Sequence, residues 1–232
     1  MKNFILFLAA VLVASCTSAD KAVDEAQTAF MNFKKPEQNP VLSADSSYSF
    51  ICPVKKEEVH WQKADVFNPA AIVKDGKIHV LFRAEDKPAA ALGGRTSRIG
   101  LATSSDGFNF DIHPSPVLYP VSGEILHYDY PGGCVVTRVV VTENGHYVMA
   151  YTSWNQDVAR LSIAFSKDLI TWEKKGPAFA KAYDGKFLDH WSKSGSIITR
   201  LEGEKQVVVK IDGKYWMYWG EPVSYTHLTL PT

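Results

Sequence analysis

Apolar and polar positions in this chain fall into one pattern three times. Val73-Lys74-Asp75-Gly76-Lys77-Ile78-His79-Val80-Leu81-Phe82-Arg83 is an apolar run, a two-residue turn, and a strand rich in β-branched and aromatic residues. The same order returns from Val141 to Thr152 around Asn144-Gly145, and from Lys210 to Gly220 around Asp212-Gly213. Asn-Gly and Asp-Gly tolerate the positive φ angles of a type I′ turn, so each copy predicts a β-hairpin. The turn glycines Gly76, Gly145 and Gly213 are 69 and 68 residues apart. A period of that size fits one four-stranded sheet per repeat, which is a propeller blade.

Two further elements keep the same phase. Ile99 to Phe110 matches Leu161 to Trp172, 62 residues later, each an apolar strand, a Ser-x-Asp turn and a short strand ending in an aromatic residue. Asn39-Pro40-Val41-Leu42 recurs as Ser115-Pro116-Val117-Leu118 and more loosely as Gly176-Pro177-Ala178-Phe179. A β-sandwich could carry similar hairpins, but three elements in phase favour an all-β chain folded as a β-propeller. The segment 33–222 then holds about three blades, an incomplete propeller domain.

The flanks read differently. Met1-Lys2-Asn3 followed by the apolar run Phe4 to Val13 has the length of a signal-peptide core and is too short to span a bilayer. Val13-Ala14-Ser15-Cys16 resembles a bacterial lipobox, which predicts a signal peptide over 1–15, lipidation of Cys16 and an envelope-anchored protein. The polar stretch 16–32 is expected to be a tether. At the other end, 223–232 breaks the repeat pattern and resembles translated sequencing adaptor, so it is set apart from the fold. Without Lys2 the chain carries 24 basic and 25 acidic residues, with no basic cluster of the kind that binds nucleic acid. Cys52 and Cys134 could pair or stay as buried thiols; two cysteines make no framework.

Small propellers bind ligands where their inner strands converge, so polar residues at the inner-strand ends are the candidates. Three sets qualify: Phe67-Asn68-Pro69-Ala70-Ala71 with Arg83-Ala84-Glu85-Asp86; Tyr128-Asp129-Tyr130 through Arg138; and Asp189-His190-Trp191-Ser192-Lys193-Ser194-Gly195-Ser196. Taken alone, Arg83, Glu85 and Asp86 also fit a salt-bridge cluster, and Trp191 also fits packing between blades.

These sets, with Ser97-Arg98-Ile99-Gly100-Leu101-Ala102 and Tyr147 to Thr152, resemble glycoside hydrolase family 130 from about Pro36 to Glu221. The resemblance implies a five-bladed propeller acting on β-mannosides, by hydrolysis or phosphorolysis, without a cofactor or metal. It implies that Asn68, Arg83 and Asp86 hold the donated sugar, the carboxylate as a two-oxygen acceptor and the arginine as a fork of donors. Trp191 would offer a sugar ring an aromatic face. Lys193 matches a position that takes phosphate in phosphorylase members, with Arg98 and Arg138 as further candidate cations.

One departure bears on chemistry. Where the family usually has Glu-Asp-Pro-Arg, its aspartate the proposed general acid, this chain has Val135-Val136-Thr137-Arg138. Valine cannot transfer a proton, and a positioned acid contributes roughly a hundred- to ten-thousand-fold in rate. Asp129, Glu124 and Asp189 are the acids that could compensate, with Asp129 the weak first candidate. Three readings follow: an anchored mannosidase-like hydrolase of mannose-containing oligosaccharides, a mannoside phosphorylase, or a sugar-binding propeller impaired in catalysis. Export favours hydrolysis among them. Related arabinosidase and fructosidase propellers place an aspartate on the first inner strand, where this chain has Asn68.

Overall fold

The computed structural model describes residues 34–88, 94–123 and 127–220. The signal-peptide, Cys16 and tether expectations, Glu124 and the 223–232 tail lie outside the described residues. The chain divides into two compact units, Met1–Asn39 and Pro40–Thr232. In the first, the described part is a turn closed by Asn39 N–H on the Pro36 carbonyl, 3.1 Å.

The second unit is all-β; its only helical segments among the described residues are two short 3-10 turns. It opens with a small hairpin, β1 (Phe50–Cys52) and β2 (Glu57–Val59). Four strands then meander outwards as a first blade: β3 (Asp65–Lys74), β4 (Lys77–Glu85), β5 (Ser97–Ser104) and β6 (Asp111–Ile112). A second blade repeats them as β7 (Gly133–Val141), β8 (Tyr147–Trp154), β9 (Ala159–Ser166) and β10 (Trp172–Pro177). Every neighbouring pair within a blade is antiparallel.

The third repeat contains the expected hairpin in an interrupted form. β11 (Lys193–Ile197) pairs with β16 (Met217–Gly220), and β14 (Lys210–Ile211) pairs with β15 (Lys214–Tyr215) across Asp212-Gly213. The inner strand is therefore β11 plus β14. Between them β12 (Thr199–Glu202) and β13 (Lys205–Val208) form an inserted hairpin, whose neck is closed by Val209 N–H on the Ile198 carbonyl. Two full blades and the inner hairpin of a third make the partial propeller that the repeats anticipate.

Turn chemistry explains the repeats. Asp75-Gly76 and Asp212-Gly213 have positive φ at both residues, as a type I′ turn requires. Asn144-Gly145 differs, because only Gly145 is left-handed. There the loop runs from Thr142 to His146, with Gly145 N–H on the Thr142 carbonyl and His146 N–H on Thr142 Oγ1. The two Ser-x-Asp turns are built alike. Asp106 Oδ1 accepts from the Phe108 and Asn109 amides, and Asp168 Oδ1 from those of Ile170 and Thr171, all within 2.8 Å. The third element also matches: Val117 N–H bonds the Ile99 carbonyl and Ala178 N–H bonds that of Leu161, each at 2.8 Å.

The main core lies between the two blades, where Leu81, Ile99, Leu101, Val136, Val139, Met149 and Tyr151 are buried together. Trp61, fully buried, packs β1 and β2 onto Phe82 and Ala102 of the first blade. Cys52 and Cys134 are both buried free thiols. At the inner ends the blades touch backbone to backbone, with Ser97 N–H on the Gly132 carbonyl at 3.1 Å and Ser97 paired in parallel with Gly133.

Candidate functional site

Each inner strand breaks its ladder at the same end. The register skips Asn68-Pro69 between Phe67 and Ala70, Thr137 between Val136 and Arg138, and Ser194-Gly195 between Lys193 and Ser196. A bulged residue is released from pairing, so Pro69 loses no ladder bond there. The three bulges border one open cavity of about 650 Å3.

Of the expected site residues, Asn68, Arg83, Trp191 and Lys193 line this cavity. Arg83 projects from β4 with Nε on Ser97 Oγ at 2.9 Å and Nη2 on Glu85 Oε1, and its guanidinium lies 4.5 Å from the Phe67 ring centre. Glu85 is fully buried and also pairs with Arg95, Nε to Oε2 2.6 Å. Burial pushes the Arg83 guanidinium below its ordinary value, with Glu85 opposing. Lys193 makes no ion pair among the described residues, and Trp191 is 39% exposed.

The other candidates lie off the cavity lining. Asp86 is buried and accepts from Arg98 Nη1 at 3.0 Å and the Thr96 amide at 2.9 Å, which ties up Arg98 as well. Arg138 reaches across to the inserted hairpin, donating to Gln206 Oε1 at 2.6 Å and Thr199 Oγ1 at 3.3 Å. Asp129 is buried against the Lys174 ammonium, with the Val121 amide at 3.2 Å and the Cys134 thiol at 3.5 Å. Burial pushes the Asp129 carboxyl up from its ordinary value, and Lys174 pulls it back in part. Asp189 is exposed and holds Arg160.

The cavity wall also uses Val135, Val136, Thr137, Thr152, Trp154 and Ser194. Thr152 and Trp154 are not among the residues the sequence singles out for the site, although hairpin counting finds them: Val135 pairs with Thr152 and Gly133 with Trp154. The lining therefore offers an amide, a guanidinium, an ammonium, hydroxyls and indole faces. No carboxylate is among its described residues, and no group of three His, Cys, Asp or Glu among them could hold a metal. Hydrogen-bonding groups beside aromatic faces suit a neutral polyhydroxylated ligand.

Comparison with known proteins agrees. A family model described as beta-1,4-mannooligosaccharide phosphorylase, of glycoside hydrolase family 130, matches residues 32–231. A 1,2-beta-oligomannan phosphorylase from Thermoanaerobacter sp. (strain X514) is 36% identical over 166 residues, covering 70% of this chain and 48% of that protein. A beta-1,2-mannobiose phosphorylase from the same organism is 30% identical over 188 residues, covering 76% and 53%. A solved structure from work on glycoside hydrolases within the family that target beta-1,2 mannosidic linkages in Candida mannan superposes with a TM-score of 0.77. It is 52% identical, over 82% of this chain and 53% of that one. The chain thus spans about half the length of the curated relatives it matches. The family-model match over the whole of the propeller segment, together with relatives of that identity, establishes that the chain belongs to glycoside hydrolase family 130.

Proposed function

We propose that this chain supplies the sugar-holding cavity of an enzyme that cleaves β-1,2-mannosidic linkages in mannose oligosaccharides by phosphorolysis. The observation that carries the reading is the cavity at the three inner-strand bulges, where Asn68, Arg83, Trp191 and Lys193 converge. Asn68 and Arg83 would fix sugar hydroxyls, Trp191 would cover a ring face, and Lys193 would meet the phosphate. In phosphorolysis a phosphate oxygen replaces the glycosidic oxygen on the anomeric carbon, and the leaving oxygen takes up a proton. The curated relatives favour this outcome and this linkage.

Hydrolysis is the second reading, favoured by the 52% identical structure from work on hydrolases. The pairing of Arg98 with Asp86, and of Arg138 with Gln206, also leaves Lys193 and Arg83 as the cations at the cavity. Incubating the full chain with β-1,2-mannobiose, with and without inorganic phosphate, separates the two. Phosphorolysis gives mannose phosphate and stops without phosphate; hydrolysis gives two mannoses regardless. Saturable binding with no product in either arm would replace both with a sugar-binding role.

A further inference from the structure

Trp191 sits in the loop that leads into β11. No hydrogen bond or ring contact among the described residues holds its indole, yet it lines the cavity at 39% exposure. Its loop, from Ala178 to Ser192, contains one short 3-10 turn and no strand. Something else must therefore fix where the indole sits.

That fixing comes from one strand of the second blade. Arg160, 5% exposed on β9, sends Nε to the Leu188 carbonyl at 2.9 Å and Nη2 to Asp189 Oδ1 at 2.7 Å. Its guanidinium lies 4.8 Å from the Tyr128 ring centre, and Nη1 reaches the Val158 carbonyl at 3.4 Å. On the far side of Trp191, Ser192 N–H bonds the Ala159 carbonyl at 2.9 Å, and Ser192 Oγ accepts from the Leu161 amide at 3.0 Å. Trp191 is thus strung between two anchors on β9, one two residues before it and one directly after.

We propose that Arg160 is a positioning residue that sets Trp191 as the stacking wall for a mannose ring; this rests on the reading of the cavity as a sugar site. A planar guanidinium can hold a carbonyl and a carboxylate at once while lying on an aromatic face, and an ammonium cannot. Stacking needs the indole placed to within roughly half an ångström, which a loop without strand pairing does not supply alone.

The test is fluorine NMR on the full chain labelled with fluorotryptophan, which has six tryptophans, with the Trp191 signal assigned by Trp191→Phe. In Arg160→Lys the Trp191 signal is expected to shift and broaden while those of Trp61, Trp172, Trp216 and Trp219 stay in place. β-1,2-Mannobiose should move the Trp191 signal of the wild type and bind the variant about tenfold more weakly, through lost preorganisation. Asp189→Asn, a change at an exposed residue, should give the same pattern more weakly and serves if Arg160→Lys does not fold. An unchanged Trp191 signal, or equal movement of all six, overturns the proposal. So does a displaced Trp191 with undiminished mannobiose binding. A displaced Trp191 in a protein whose wild type ignores mannobiose would uphold the positioning and refute the sugar site instead.

Discussion

Replacing Gly133 by alanine should separate the first two blades. A Cβ built there stands 2.5 Å from the Ser97 carbonyl oxygen, 2.6 Å from its amide nitrogen and 2.7 Å from its Cβ. Two of those atoms are backbone in a neighbouring strand, so no side-chain rotation relieves them. The φ angle of +136° is also one that L side chains rarely adopt. Strain of that kind costs about 1–3 kcal/mol, and overpacking about as much again. Together the loss is about 2–6 kcal/mol, a large part of the roughly 5–15 kcal/mol stability of a typical domain. Gly145 is the control, since at φ +76° a Cβ meets nothing within 4 Å. Gly145→Ala should cost only about 1 kcal/mol. Urea unfolding of the two variants and the wild type, followed by tryptophan fluorescence, gives the comparison. Equal midpoints for Gly133→Ala and Gly145→Ala would refute the claim that the blades are joined through this glycine. The effect would reach the cavity too, because Ser97 Oγ accepts from Arg83 and donates to Glu85.

Two other outcomes follow from the same structure. The Asp168 carboxyl lies below its ordinary range, because burial raises it but bonds from the Thr171 and Ile170 amides more than offset that. A lowered folded value means stability that is present above the usual carboxylate pKa of about 4 and lost as pH falls further. Asp168→Ala should therefore be less stable than the wild type at neutral pH, with the gap closing in acid; a gap that persists at pH 2 would contradict this. Restoring Val135→Glu, Val136→Asp and Thr137→Pro together, in residues 33–220 grafted over the matching half of the 1,2-beta-oligomannan phosphorylase, should raise kcat about a hundredfold with little change in KM. Brisk turnover by the unrestored graft would show that another acid serves.

What could be read from the chain beforehand was the part governed by local chemistry. Asp75-Gly76 and Asp212-Gly213 announce their turns because positive φ is a property of the residues themselves. Ser104 to Asp106 and Ser166 to Asp168 announce theirs because each serine and aspartate bonds within its own turn. Side-chain partners set by tertiary structure stayed hidden. Arg138 finds Gln206 68 residues away, through an inserted hairpin whose Gly203 turn lies off the repeat period. Asp129 finds Lys174 45 residues away, and Arg98 is taken by Asp86 because both are buried. Each of these removed a candidate from the cavity lining for a reason that no spacing carries.

The bulges explain how the wall of the cavity can change without disturbing the fold. Along β7 the residues Val139 and Val141 alternate into the core, and Val136 joins the same cluster at 2% exposure. Because Thr137 is looped out of the ladder, the strand on its cavity side is phased independently of the strand beyond it. Val136 therefore packs into the core on the cavity side of the bulge, while Val135 and Val136 both line the cavity. The cavity groups proposed to hold a sugar sit on other elements: Asn68 on β3, Arg83 on β4, Trp191 just before β11 and Lys193 at its start. Arg83 is held by Glu85 and Ser97, and the chain on either side of Trp191 is held by Arg160 and Ser192. The groups proposed to hold a sugar thus sit on elements other than β7, which carries Val135 and Val136, so the triple replacement at 135–137 tests acid catalysis apart from sugar binding.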